Sequence, residues 1–287
     1  MKLLRRAFLT LALVGLAALG QTFKPSHGPK HGYLIISGGM DYHLDIPRLV
    51  RMAGGPNARI VVIPTASVTR PETAAQLAHY CDDFTGAGAS AATPRVALTS
   101  HCTVLHTSDR TVANSEAFAK PLETATGVWL IGGRQWRLAN AYLGTRTLRD
   151  IVALLNRGGV VGGGSAGASI QASFMVRGSE HPDNNHIMMA PGHTTGFGLF
   201  TNTAIDQHVD ARHRENDLAA VMAAHTELLG LGLDQGTSIT VHGDSFVVNG
   251  PGRVAVWDGR QHDGKGYYYL HTGDRFNTDT RVATLKQ

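Results

Sequence analysis

Five short runs of aliphatic and β-branched residues recur before position 165, and the segments between them are amphipathic. The runs are YLIIS (Tyr33–Ser37), RIVVIP (Arg59–Pro64), TVLHT (Thr103–Thr107), VWLIGG (Val128–Gly133) and GVVGGG (Gly159–Gly164). Helices are predicted between them, over Ile46–Ala53, Glu72–Phe84, Asn114–Phe118, Gln135–Leu143 and Arg146–Asn156. Strands that are apolar along their whole length, alternating with helices, call for a mostly parallel sheet covered on both faces, a doubly wound α/β fold. Near the C-terminus the texture changes. TSITVHGDSFVVNGPGRVAVWDG has short alternating strands separated by Gly-Asp and Asn-Gly-Pro-Gly, which predicts antiparallel hairpins at one edge. With 287 residues, 43% of them hydrophobic, the chain can bury a substantial core, and one large domain is expected over 32–287.

The first 20 residues stand apart. Lys2, Arg5 and Arg6 precede an apolar run from Ala7 to Leu19 and a small-residue site at Ala18 to Gly20. This is the layout of a cleavable export signal, too short to span a bilayer comfortably. The order RRAFLT also fits a twin-arginine signal, although the residue before Arg5 is not the usual Ser or Thr. An exported protein with no stable membrane anchor is therefore expected, and residues 21–31 read as a polar linker. Setting the leader aside lowers the formal charge from +4 to +1, since no acidic residue precedes Gln21. No Lys/Arg run remains to hold a nucleic acid or an anionic membrane. Cys81 and Cys102 are the only cysteines, and a disulfide and two unpaired thiols both fit the sequence.

The stretch VVGGGSAGASI (Val160–Ile170) satisfies G-x-S-x-G at Gly163–Gly167, with a strand-like run before it and a helix-compatible segment after it. A serine on such a turn is held in a strained backbone, and its neighbours must be small for the chain to reverse. The helix N-terminus then faces the reacting oxygen. A glycine-rich turn that merely packs or holds an anion has the same composition. If Ser165 is a nucleophile, it needs a base and an oxyanion site. Gly132 and Gly133 end a neighbouring strand, so their N–H groups can join that of Ala166 as oxyanion donors. Among 15 histidines, His208 stands out in AIDQHVDARHREN, beside Asp206, Gln207, Arg212 and Arg214. His181, His186 and His193 could serve with His208 as zinc ligands, but no tight metal motif such as H-E-x-x-H is present. The long irregular stretch Arg177–Phe200 is expected to be a functional loop near Ser165.

Taken together, VVIPTAS (Val61–Ser67), GGRQ (Gly132–Gln135), GGGSAGA (Gly162–Ala168), IDQH (Ile205–His208), the run to Arg212 and Arg214, and LGLDQGTSI (Leu231–Ile239) resemble the cyanophycinase and aspartyl-dipeptidase group of serine peptidases, peptidase family S51. The resemblance covers nearly all of the chain after the leader. It implies a sheet related to class I glutamine amidotransferases, flavodoxin-like in layout. It implies Ser165 as nucleophile, His208 as base, and Gln135, Asp206, Gln207, Arg212 and Arg214 as substrate-binding positions, with no metal and no cofactor. A peptide or small isopeptide is the implied partner, with no nucleic acid; a homodimer is one arrangement left open. Members nearest cyanophycinase release β-aspartyl-arginine from a backbone of aspartates that carry arginine on their side chains.

Three positions depart from that pattern. The acidic member of the triad is replaced by Gln235, which can orient His208 through its oxygen but cannot stabilise imidazolium as a carboxylate does. Asp234 and Asp210 are the nearby acidic alternatives. Asp217 stands where a further arginine is usual, and Arg134 where an aspartate is usual. These departures leave two readings: a hydrolase of aspartyl or isoaspartyl peptides, or a weakened relative that binds without efficient turnover. An α/β-hydrolase esterase is disfavoured, because there the acid follows the serine before the histidine.

Overall fold

The computed structural model describes residues 24–40, 42–87 and 97–287; the expected leader, residues 1–20, lies outside them. The five apolar runs form strands β1 (Tyr33–Ser37), β2 (Arg59–Ile63), β3 (His101–Val104), β4 (Gly127–Leu130) and β5 (Val160–Gly164). They lie in the order β1-β5-β4-β2-β3, and every neighbouring pair is parallel. The order β3-β2-β4-β5 is flavodoxin-like, with β1 in the fifth place. Because side chains alternate across a sheet, each strand feeds two cores. Leu34, Ile36, Val61 and Ile63 pack with Leu138, Tyr142, Ile151 and Leu155 of the helices Gln135–Tyr142 and Arg146–Asn156. Ile35, Ile60 and Val62 pack on the opposite face with Ile46, Leu49 and Val50 of the helix Asp45–Met52.

Two expected helices are shorter and broken, for local reasons. A capping box between Thr73 and Gln76 starts the next helix at Ala74 instead of Glu72. That helix gives way to a 3-10 turn at His79–Cys81, where Cys81 is bonded to Cys102 of β3. Ser115 caps Phe118, splitting the expected Asn114–Phe118 segment from the preceding turn of helix, Arg110–Ala113. The strand expected at Thr103–Thr107 begins two residues earlier and ends at Val104, and His106 then binds Thr65.

The second half adds β6 (Ala172–Phe174), β7 (Phe200–Gln207), β8 (Leu229–Leu233), β9 (Ser238–His242), β10 (Ser245–Asn249), β11 (Val254–Trp257), β12 (Tyr268–Leu270), β13 (Arg275–Asn277) and β14 (Val282–Thr284). Of the expected hairpin strands, β9 and β10 extend the first sheet antiparallel from β1, and β13 and β14 continue it, whereas β11, the last strand of that stretch, leaves this edge and pairs antiparallel with β8 and β12. A second sheet of five strands, β12-β11-β8-β7-β6, was not anticipated from the sequence. Its β6, β7 and β8 are parallel neighbours. Strand β8 reads LGLGL, with no β-branched residue, so its composition does not announce a strand. Its glycines are there for space: a Cβ on Gly230 would sit 2.7 Å from Met222 Sδ and 2.9 Å from Trp257 Cβ.

Residues 24–31, read as a linker, lie against the body. Ser26 is buried and donates to the Asn202 carbonyl, and its N–H donates to the Thr278 carbonyl.

Candidate active site

Ser165 follows β5 directly and opens the short helix Ala166–Ser169. Its φ of 55° lies in the left-handed region, which an L side chain occupies only under constraint. The constraint is tight packing around the turn. Its N–H donates to the Ser37 carbonyl, and a Cβ on Gly167 would sit 2.1 Å from the Leu130 carbonyl oxygen. The strained turn points Ser165 Oγ at His208 Nε2, 2.9 Å away.

His208 directly follows β7 and also has a left-handed backbone, φ 56°. The tail of β1 holds it in place. Gly38 accepts the His208 N–H and donates its own N–H to the Thr237 carbonyl, while the Gly39 carbonyl accepts the Gly236 N–H. Gly39 itself, at φ 100°, lies flat against the imidazole, where a Cβ would come within 2.3 Å of His208 Cε1. Three consecutive residues, Ser37 to Gly39, thus join the serine, histidine and Gln235 segments. Burial pushes the His208 imidazole down to about 4, helped by Arg212 and Arg214 and opposed by Asp206 and Asp210. The ring is therefore neutral at pH 7.

On the far side of the imidazole, Gln235 Nε2 lies 2.8 Å from His208 Nδ1. The two carboxylates that could stand in for a triad acid are committed elsewhere. Asp210 accepts the Gln235 backbone N–H at 2.8 Å. Asp234 accepts both the backbone N–H and the Nε of Arg253, each at 3.0 Å. Among the described residues, the side chain hydrogen-bonded to His208 Nδ1 is that of Gln235.

A cleft of about 320 Å³ opens over Ser165, lined by Gly133, Arg134, Gln135, Asn185, Gln207 and Arg212. The expected loop Arg177–Phe200 contributes Asn185. Gly133 has φ 139° and abuts the Ala66 carbonyl, where a Cβ would sit 2.2 Å from the oxygen. The flanking Ile131 and Arg134 N–H groups donate to Ile63 and Ala66, and the backbone hydrogen bonds among the described residues do not use those of Gly132 and Gly133. Gly132 lies beside the nucleophile candidate: a Cβ there would meet Ser165 Cβ at 3.1 Å. Ala166 is fully buried at the helix start. A larger crevice of about 690 Å³ runs along the helix Gln135–Tyr142, with Trp136, Arg137 and Asn140 on its wall. It lacks Ser165, which lines the smaller cleft, so the chemistry belongs to the latter.

The model of peptidase family S51 matches residues 33–249. The chain belongs to that family. This S51 peptidase is 29% identical over 220 residues to the cyanophycinase of Geminocystis herdmanii, covering 75% of each chain. It is 32% identical over 212 residues to the cyanophycinase of Trichormus variabilis, covering 72% of this chain and 65% of that relative. A solved peptidase from an acI-B1 Actinobacterium shares the fold, with a TM-score of 0.62 at 19% identity over 87% of this chain and 98% of that one.

Of the expected substrate-binding residues in this S51 peptidase, Gln135, Gln207 and Arg212 line the cleft, whereas Asp206 and Arg214 do not. Gln135 is anchored by its Nε2 to the Val176 carbonyl at 2.8 Å. Gln207 is buried, and its Oε1 has no hydrogen-bond partner among the described residues. Asp206 is fully buried, and its carboxylate is gripped by Arg177 through Nε at 2.9 Å and Nη2 at 2.8 Å. Asp206, expected to bind substrate, is thus engaged by a guanidinium of the chain itself. Arg214 supports the cleft from behind by donating to the Gln207 carbonyl at 3.0 Å, and burial lowers its guanidinium to about 10.

Sequence reasoning missed Gly38, Gly39 and Arg177. A Gly-Gly pair closing an apolar strand was the available signal for the first two, since ligand crevices form at the carboxyl ends of parallel strands. Arg177 gave none, as its carboxylate partners lie 29 and 40 residues away. Among the described residues, no three His, Cys, Asp or Glu side chains gather as metal ligands, and no helix is long and apolar enough to cross a membrane.

Proposed function

We propose that this S51 peptidase is an exported serine-type hydrolase of aspartyl or β-aspartyl (isoaspartyl) peptides. The observation that carries the reading is the line Ser165 Oγ, His208 and Gln235, with contacts of 2.9 and 2.8 Å, at the strand ends beneath a polar cleft. Ser165 Oγ attacks the carbonyl carbon as His208 Nε2 takes its proton. The developing oxyanion is received by N–H groups of Gly132, Gly133 and Ala166. His208 then returns the proton to the leaving amine, and water hydrolyses the acyl-enzyme by the same route. Arg212 and Arg134 bring positive charge to the cleft, which favours a substrate carboxylate. The Cys81–Cys102 bond, with Cα atoms 5.8 Å apart, supports export, because such bonds persist in oxidising compartments.

One contact favours a second reading, a relative that binds but turns over slowly. As placed, the Gln235 amide NH₂ faces His208 Nδ1, which puts the imidazole proton on Nε2, the nitrogen that must be free to accept from Ser165. Rotating the amide by half a turn presents Oε1 and restores the competent tautomer.

The mature protein is to be incubated with α- and β-aspartyl dipeptides and with cyanophycin, alongside Ser165→Ala. Hydrolysis that disappears in Ser165→Ala while calorimetry still records binding is the expected result. Activity that survives the substitution refutes Ser165 as nucleophile. Binding without turnover in the unmodified protein selects the second reading.

A further inference from the structure

The guanidinium of Arg177 donates hydrogen bonds from all three of its nitrogens. It is 2% exposed, sits on a left-handed backbone (φ 54°), and makes a two-pronged contact to Asp206. Its Nη2 also meets Asp217, and its Nη1 donates to the Asn185 carbonyl at 3.0 Å. Asp206 accepts the Gln207 N–H as well, at 3.0 Å, and Arg214 Nη1 stands 3.7 Å away. Asn185 and Gln207 both line the cleft over Ser165. The Arg177 guanidinium is therefore tied to the cleft wall through Asn185 and, by way of Asp206, Gln207, and it is held between the fully buried Asp206 and the partly exposed Asp217. Two carboxylates converging on one planar cation form the geometry of a guanidinium receptor. This receptor is already full.

We infer that Arg177 is an internal occupant of an acidic subsite adjoining the Ser165 cleft, and that it sets specificity by excluding substrates recognised through a guanidinium group. With Asp206 and Asp217 so engaged, the polar side chains lining the cleft include Gln135, Gln207, Arg134 and Arg212, which have no carboxylate among them and suit a substrate carboxylate or neutral amide. The inference rests on the proposed peptidase activity for its kinetic consequence, but the occupancy of the pocket can be tested without turnover.

Arg177→Gly removes the occupant and keeps a residue suited to the left-handed backbone. Guanidinium chloride at low millimolar concentration, compared with sodium chloride at equal ionic strength, is expected to raise its Tm and give saturable binding by calorimetry. The unmodified protein should show neither. The ratio of kcat/KM for β-aspartyl-arginine over β-aspartyl-leucine should rise by roughly tenfold or more, the scale of one additional charge-assisted hydrogen bond to the substrate. The double variant Arg177→Met with Asp206→Asn, which removes both charges, should acquire neither property. Guanidinium binding that is absent from Arg177→Gly, or equal in the unmodified protein, overturns the inference. A strong preference of the unmodified protein for β-aspartyl-arginine also overturns it, and that measurement needs no variant. If no peptide is hydrolysed by any form, the peptidase reading fails while the guanidinium titration still decides the occupancy.

Discussion

Gln235 Nε2 contacts His208 Nδ1 at 2.8 Å, so a single rotatable amide controls which imidazole nitrogen carries the proton. A carboxylate only accepts hydrogen bonds, and so it enforces the Nδ1–H tautomer that leaves Nε2 free for Ser165. An amide supports either tautomer. Gln235→Glu is expected to raise kcat/KM toward isoaspartyl peptides, by up to about 10³- to 10⁴-fold if the missing charge is the full deficit. Steady-state kinetics on the two proteins checks this. No change, or a fall, would mean that the amide already presents its oxygen and that the missing charge costs nothing.

Burial places the His208 imidazole at about 4, so the base is unprotonated over most of the accessible range. The acid limb of the kcat/KM profile is accordingly expected near pH 4, well below the ordinary histidine value of about 6.5. A carboxylate in Gln235→Glu favours imidazolium and moves that limb upward. Stability follows the same linkage. Between about 6.5 and 4 the unfolded chain binds a proton at His208 that the native state does not, so stability falls as pH drops through this window. His208→Asn should flatten this part of the pH dependence in thermal melts, and an unchanged slope would contradict the low imidazole value.

Gly39 is pressed against the imidazole, and the added methyl of Gly39→Ala would lie 2.3 Å from Cε1 on a backbone at φ 100°. The ring must move, and with it the contact to Ser165. A fall in kcat on the order of 10²-fold is expected, the scale of a misplaced catalytic group. Circular dichroism should show the fold retained. Full activity in a folded Gly39→Ala protein would show that the base does not need this support.

Cys81 and Cys102 close a loop with a sequence separation of 21, and both pack at the Ile35–Val62 face of the first sheet. Loop-closure entropy puts such a bond at about 3 kcal/mol. Cys81→Ser with Cys102→Ser, or reduction of the native protein, should lower stability to denaturant by roughly that amount. The Ser165–His208 contact, built from other strands, should retain its activity under native conditions. A loss of kcat at unchanged stability would instead link this edge of the sheet to the site.

Much of this architecture could be read from the sequence because it arises from local patterns. The runs at Tyr33–Ser37 and Arg146–Asn156 form their elements with the expected bounds, since buried strands and amphipathic helices carry their periodicity within a few residues. Ser165 was legible because its turn needs small neighbours, and Gln235 because it replaces an acid in the family pattern. The second sheet was not legible: β8 is built from leucine and glycine, and its strand character comes from the packing of Trp257 and Met222 around it. Nor was the role of Asp206, a carboxylate that sequence alone leaves open to a substrate. Its partner Arg177 arrives from a different strand end, and no spacing rule connects the two.

The reacting groups come from separate sheets: Ser165 from the end of β5 in the nine-stranded one, His208 and Gln235 from the ends of β7 and β8 in the five-stranded one. Among the described residues, the backbone clamp between them at this point is the tail of β1, through Gly38 and Gly39. The serine–histidine contact is therefore a gauge of how the two halves are seated. A slip of about one ångström along that seam leaves every helix and strand intact yet disconnects the proton path. As the protein is warmed, hydrolysis should fade before the circular dichroism signal does, with the seam as the first part to give way.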